Sequence, residues 1–337
     1  MTKALIVGCA GPELTAEEAD FLRKVDPWGF ILFARNCPSP TAVEALVAAF
    51  RETVGREDAP VLIDQEGGRV QRLKPPYWAQ YPCAADIGKV HARDPAAGVE
   101  AARLTGRLIA EDLRLLGITV DCLPLLDVRD ESGHDVIGDR SFGSDPRAVA
   151  ELGRALAEGL RAGGVSPVMK HLPGHGRAGA DSHLELPRVD APLEELRRVD
   201  FAPFHDLSDL PMAMTAHVLY TAIDAERCAT ISSKVIADVI RGEIGFDGLL
   251  MSDDLSMEAL SGSLAERAEA AFAAGCDVAL HCNGKLKEMR EVASVSPELD
   301  GRAAERAEAA QTWPRRDWTD TVEARSELMR LLGRDEA

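Results

Sequence analysis

Eight short apolar runs, each followed by a longer polar or amphipathic stretch, constrain this chain more than any other property of its 337 residues. The runs fall at 4–7, 29–33, 61–63, 119–123, 167–170, 212–216, 248–251 and 277–280. Helical periodicity separates many of them, at 41–53, 98–116, 146–162, 193–207, 233–244 and 264–274. Strands that read as continuous apolar runs are buried on both faces, and their alternation with helices calls for a parallel sheet. Eight such units at this length predict a closed (β/α)₈ barrel, an α/β fold in a single domain spanning 1–337. A doubly wound open sheet is the alternative, but no GxGxxG follows an early strand. Beyond about residue 295 the strand pattern stops, and stretches at 302–311 and 321–332 predict a helical C-terminal extension.

The polar residues with chemical potential cluster at strand ends. Asp64 follows the third run, Lys170 and His171 the fifth, His217 the sixth and Asp253 the seventh. The C-terminal ends of barrel strands form the face that carries active sites, so these residues are expected to share one site. A net charge of −18 argues against nucleic acid or an anionic membrane as partner. Seven cysteines, odd in number and without CxxC spacing, suit buried free thiols in a reducing compartment. The stretch Ala4-Leu5-Ile6-Val7-Gly8-Cys9 superficially resembles a lipoprotein cleavage site. Its apolar run is shorter than the roughly 7–15 residues of a signal core, and no run approaches the roughly 18 residues of a membrane span. The expectation is a cytoplasmic protein, monomeric, with no membrane partner.

Four segments carry the chemistry. In Asp64-Gln65-Glu66-Gly67-Gly68-Arg69-Val70-Gln71-Arg72, a strand-end carboxylate can accept two hydrogen bonds from adjacent hydroxyls, as on a sugar. Arg72 adds a fixed fork of donors. Glu66 is expected to pair with Arg69 or Arg72 as a structural ion pair. In Val136-Ile137-Gly138-Asp139-Arg140-Ser141-Phe142-Gly143, Arg140 can contact a ligand while Asp139 holds it, although a salt-bridged loop is an equal reading.

Lys170-His171-Leu172-Pro173-Gly174-His175-Gly176, closely followed by Asp181-Ser182-His183, crowds titratable groups onto a loop that glycines allow to bend and move. It admits two chemistries. His171, His175, Asp181 and His183 can together bind a divalent metal, although Lys170 opposes a cation. Alternatively His183 donates and accepts a proton, oriented by Asp181 two residues away on the same side of an extended segment. His175 is expected to brace the turn. In Gly248-Leu249-Leu250-Met251-Ser252-Asp253-Asp254-Leu255-Ser256-Met257 an apolar strand runs into two acids. The first emerges at the barrel mouth, where a carboxylate can attack carbon. Asp254 is expected to cap the following helix or brace a neighbour.

Taken together these motifs resemble the family 3 glycoside hydrolases, and among them the compact bacterial β-N-acetylhexosaminidases of peptidoglycan recycling. DQEGGRVQR, VIGDRSFG, KHLPGHG, DSH and MSDDLSM stand in the family's order between residues 64 and 257, with GFILFARN at 29–36. The resemblance implies a (β/α)₈ barrel and a retaining exo-β-N-acetylglucosaminidase acting on muropeptides, with no cofactor and no metal. It implies Asp253 as the nucleophile, His183 as the general acid/base and Asp181 as its dyad partner. Asp64, Arg72, Arg140, Lys170 and His171 map onto sugar-binding positions. The same resemblance leaves room for a β-glucosidase or a phosphate-using N-acetylglucosaminidase, and the loop histidines for a metal-dependent barrel hydrolase. Leu172 stands where the motif more often has Phe, and RDESGHD at 129–135 is longer or more polar than the pattern. The second α/β domain of larger relatives has no room in this length, so sugar contacts are expected from the barrel and its loops alone.

Overall fold

The fold is a closed barrel of eight parallel strands. In the computed structural model, every residue is described except 131, 132, 134, 181, 183, 184, 312–319 and 335–337. The strands are β1 (Lys3–Val7), β2 (Pro27–Leu32), β3 (Val61–Ile63), β4 (Val120–Asp121), β5 (Ser166–Leu172), β6 (Met212–Thr215), β7 (Leu249–Asp254) and β8 (Val278–His281). Each pairs with its sequence neighbours, and β8 closes on β1 through Leu5–Ala279, Ile6–Leu280 and Val7–His281. All eight apolar runs are therefore barrel strands.

Period-two alternation divides the strand side chains between two cores. Ile6, Leu62, Val120, Val168, Met212, Leu249 and Val278 fill the barrel interior, while Leu5, Ile63, Met169, Ala213 and Leu250 face the helical shell. The shell comprises α1 (Ala16–Val25), α2 (Pro40–Val54), α3 (Ala84–Arg93), α4 (Pro95–Leu115), α5 (Pro146–Ala162), α6 (Leu193–Arg198), α7 (Ala202–Asp206), α8 (Leu264–Ala274) and α9 (Leu286–Val295). Their starts follow local rules. Ser39, Asp94 and Asp145 cap backbone N–H groups ahead of Pro40, Pro95 and Pro146, and Ser263 with Glu266 forms a capping box.

Two helical readings change. The stretch 193–207 is two helices rather than one, with Pro203 in the first turn of the second, where its missing N–H costs no intrahelical bond. The stretch 233–244 winds as a π-helix over Val235–Glu243. Two further helices, α10 (Gly301–Ala309) and α11 (Thr321–Leu331), follow the barrel. Ala307 and Ala310 close the interior from below, where Ser166 Oγ donates to the Ala310 carbonyl at 3.0 Å. The opposite, C-terminal end of the strands stays open. Among the described residues no helix is long and apolar enough to cross a membrane.

Candidate active site

The open end of the barrel holds a cavity of about 300 Å³ lined by Asp64, Glu66, Arg72, Arg140, Lys170, His171, His175, Ser182, Asp253 and Asp254, among others. One side is a charge network. Leu62 points into the barrel, so Asp64 two residues on does the same. The chain then forms a two-stranded hairpin, Gln65–Gly67 with Val70–Gln71, that carries Glu66. Gly67 has φ 88°, and a Cβ there would lie 2.2 Å from the Pro82 carbonyl oxygen, so only glycine fits. Lys170 Nζ lies 2.8 Å from Asp64 Oδ1 and 2.6 Å from Glu66 Oε1. Arg72 Nη2 donates to Asp64 Oδ2 at 3.0 Å, and Arg140 grips both Glu66 oxygens at 2.8 Å.

Burial works against charge throughout this network, yet the partners prevail. Lys170 and Arg72 hold the Asp64 carboxyl well below the usual carboxylate range. Arg140, then Lys170, bring Glu66 down to about 2. The Lys170 ammonium is in turn raised by Asp64 and Glu66. With Asp64 and Glu66 set against Arg72, Arg140 and Lys170, the network carries one surplus positive charge. Such a rigid, ionised set of donors and acceptors can bind the hydroxyls of a neutral sugar ring without itself changing protonation.

The adjacent wall comes from the end of β5, where the register shifts. Lys170 pairs with Met214 but Leu172 pairs with Thr215, leaving His171 as the extra residue of a bulge with φ 134°. A bulge re-aims side chains, and here it brings Lys170 and its neighbour His171 to the same cavity. His171 Nδ1 lies 2.6 Å from Asp127 Oδ2, and because a carboxylate only accepts, Nδ1 carries the hydrogen. The other oxygen of Asp127 accepts the His175 backbone N–H at 2.6 Å. Burial lowers the His175 imidazole to about 4. Its Nε2 lies 3.4 Å from Ser182 Oγ, and the Ser182 carbonyl accepts from Ala259 N at 3.2 Å.

Across the cavity, β7 delivers both acids. Met251 pairs with Val278 and Asp254 with Leu280, a second register shift that places both Asp253 and Asp254 on the lining. Asp253 Oδ1 accepts the Asp254 N–H at 2.8 Å, and the Asp253 N–H lies 3.3 Å from Thr215 Oγ1. Burial opposes ionisation of Asp253, but His217, His171, the Asp254 N–H and Lys170 together pull its pKa below the ordinary value. His217 itself is fixed, Nε2 3.0 Å from the Asp254 carbonyl and Nδ1 2.7 Å from Thr230 Oγ1. An anionic carboxylate at the wall of a confined cavity has what a nucleophile needs. Asp254 is instead occupied: it accepts from Ser256 N, Ser256 Oγ and Cys282 N at 2.7–3.1 Å.

Asp64, Arg72, Arg140, Lys170, His171 and Asp253 thus meet at one cavity. Asp181 and His183 lie outside the described residues, as does part of 129–135; only Ser182 of the DSH segment is placed. The metal reading needs those two residues, and among the described residues no group of three or more histidine, cysteine, aspartate or glutamate side chains is arranged to hold a metal ion. Several pairings differ from expectation. Glu66 binds Arg140 and Lys170 rather than Arg69 or Arg72. Asp139 pairs with Arg69 at 2.8 Å, leaving Arg140 to Glu66. Of its two expected roles Asp254 takes the bracing one, at the β7–β8 mouth, since α8 is capped by Ser263. Of the loop glycines, Gly174 takes φ 135°, while Gly176 is required by contact, a Cβ there falling 1.7 Å from the Val128 carbonyl oxygen. Asp127 belongs to none of the four motif segments, although a lone carboxylate in the apolar run Leu123-Pro124-Leu125-Leu126-Asp127-Val128 is a visible signal.

Residues 5–311 match the glycosyl hydrolase family 3 N-terminal domain. The chain is 40% identical over 283 residues to a β-hexosaminidase of Bordetella avium, covering 83% of this chain and 80% of that protein. It is 39% identical over 323 residues to a β-hexosaminidase of Tolumonas auensis, covering 94% and 92% respectively. Among solved structures, NagZ from Neisseria gonorrhoeae in complex with N-trifluoroacetyl-D-glucosamine superposes with a TM-score of 0.89 at 32% identity, over 98% of both chains.

Proposed function

The chain belongs to glycosyl hydrolase family 3 and is a β-N-acetylhexosaminidase, and we propose that it releases terminal β-linked N-acetylglucosamine from muropeptides with retention of configuration. The observation that carries the mechanism is the ionised, half-buried Asp253 facing the Asp64–Arg72–Lys170 network across one cavity. At about 300 Å³ the cavity sits at the low end of the ~300–1,000 Å³ usual for ligand pockets, which suits a single sugar ring and so exo action.

In the first step an Asp253 oxygen bonds to the anomeric carbon while the bond to the leaving oxygen breaks. That oxygen takes a proton from His183, which Asp181 keeps oriented. In the second step water adds to the same carbon, Asp253 departs as carboxylate, and the water's proton returns to His183. An imidazole in this role departs from the usual carboxylate pair of retaining glycosidases. Asp64, Arg72, Arg140, Lys170 and His171 bind sugar hydroxyls, and Arg140 also holds Glu66 in their midst. The enzyme works in the cytoplasm as a monomeric single domain, with residues from about 295 onward as a helical extension.

The test is Asp253→Ala assayed on an aryl β-N-acetylglucosaminide, with mass spectrometry of the wild type quenched during turnover of a slow, activated substrate. The expected results are loss of turnover and a glycosyl adduct on the peptide containing Asp253. Turnover near the wild-type rate in Asp253→Ala would remove the nucleophile from this reading.

A further inference from the structure

We propose that Asp121, a residue outside the sugar-contact set, is a positioning residue that works as the neutral acid and holds the hairpin side of the cavity in place. Val120 and Cys122 belong to the barrel interior, so the side chain between them points the other way, under the hairpin. There it is completely buried. Its Oδ1 accepts the Gln65 N–H at 2.9 Å, and its Oδ2 has no hydrogen-bond partner among the described residues. Gln65 is the pivot of the hairpin: its Oε1 accepts from Arg72 N at 2.9 Å and Leu73 N at 3.0 Å, and its Nε2 donates to the Leu73 carbonyl. One carboxyl therefore anchors the strand turn that carries Asp64, Glu66 and Arg72.

A fully buried carboxylate with one oxygen unpartnered is costly unless it keeps its proton. The groups acting on Asp121 leave that balance in place. Lys170 from β5 favours ionisation, but both its close contacts go to Asp64 and Glu66, and those two carboxylates oppose a third anion. The neighbouring Cys122 thiol is itself raised by burial, then by Asp64 and Asp121, and stays neutral. Burial first, with Asp64 and Glu66 assisting, brings the Asp121 carboxyl up to about 8. Its proton is then lost just above neutral pH. A new anion in this place has no donor for Oδ2, so the hairpin must shift or admit water, and the sugar contacts loosen.

The inference rests on the sugar-binding reading of Asp64 and Arg72, and its test keeps the two separable. The first arm measures N-acetylglucosamine affinity by calorimetry from pH 6.5 to 9.5 in wild type and Asp121→Asn. The amide carbonyl of Asn still accepts from Gln65 N, but the residue cannot ionise. Wild type should weaken roughly tenfold across that range, the loss of about one net hydrogen bond, while D121N stays flat. The second arm needs no sugar and no variant: infrared spectra of the wild-type protein should show a buried protonated carboxyl at pH 7 that disappears by pH 9.5. Equal weakening in both proteins, or no such band, overturns the proposal. Absence of any N-acetylglucosamine binding, with the band present, instead sinks the sugar-site reading and leaves the charge state of Asp121 standing.

Discussion

Replacing Asp127 by Asn changes one atom and should disable the site without unfolding the barrel. Both carboxylate oxygens of Asp127 are used, Oδ2 by His171 Nδ1 and Oδ1 by the His175 N–H, each at 2.6 Å and with the side chain fully buried. Asn offers one acceptor and one donor where two donors wait. The backbone N–H cannot adapt, so the Asn oxygen should stay with His175 and its amide group face His171. The imidazole then has to move its hydrogen to Nε2, which turns the cavity-facing nitrogen from acceptor into donor. Exchanging two hydrogen bonds to a charged group, about 1.5–3 kcal/mol each, for neutral ones of about 0.5–1.5 kcal/mol costs roughly 2–3 kcal/mol of stability. For a chain of this length, at about 2.1 cal/mol/K per residue, that lowers Tm by roughly 3–4 °C. With His171 as a proposed sugar contact, the altered tautomer should reduce kcat/KM by about 10- to 100-fold, the worth of one mis-set hydrogen bond. Steady-state assays on an aryl β-N-acetylglucosaminide, repeated in a His171→Ala background, decide the matter. If Asp127 acts through His171, the double variant should lose little more than His171→Ala alone. Fully additive losses, or a Tm drop with kcat/KM within twofold of wild type, would refute the reasoning.

Two further outcomes follow from the same electrostatics. Lys170→Met removes the cation shared by Asp64 and Glu66 and leaves two carboxylates with reduced compensation, a loss of about 3–5 kcal/mol. Thermal melts should show a larger deficit at pH 8 than at pH 5, because Glu66, freed from its ammonium, can then take up a proton; a pH-independent deficit would mean that packing dominates. His175 titrates at about 4 in the fold against 6.5 as a free side chain, so the unfolded chain binds a proton that the folded one refuses. Its contribution is present above pH 6.5, falls as pH drops through 6.5, and levels off below 4, a total of about 3 kcal/mol. Denaturation midpoints at pH 7.5 and 4.5 should therefore converge in His175→Gln, and an unchanged acid-side loss would assign that loss to other groups.

Much of this architecture is legible in the chain because barrel strands are apolar on both faces, so each of the eight stands out from its polar surroundings. Placement of Asp64, Lys170, His171 and Asp253 at one mouth then follows from direction alone, since parallel strands end on the same face. The ion-pair partners were not legible. Glu66 meets Arg140, 74 positions away, through a hairpin whose rotation no local pattern specifies, whereas spacing alone favours the nearer Arg69 and Arg72. Asp127 was hidden for a related reason, since its worth lies in two donors on another strand and loop.

Strict alternation also makes a definite wrong statement about this site. It aims Lys170 inward with Val168, and Asp253 inward with Met251, and so turns His171 and Asp254 out into the helical shell. There an imidazole and a second acid would need polar partners among aliphatic side chains, at a cost of a few kcal/mol each. The chain escapes that cost by shifting register once in β5 and once in β7, and both neighbours then reach the mouth. His171 accepts a φ of 134°, a conformation with a cost of order 1–3 kcal/mol, for this purpose. Adjacent chemistry-bearing residues at the end of an apolar strand are therefore themselves a signal. They are compatible with a two-faced strand only if a bulge lies between them, and the motifs Lys170-His171 and Asp253-Asp254 each coincide with one.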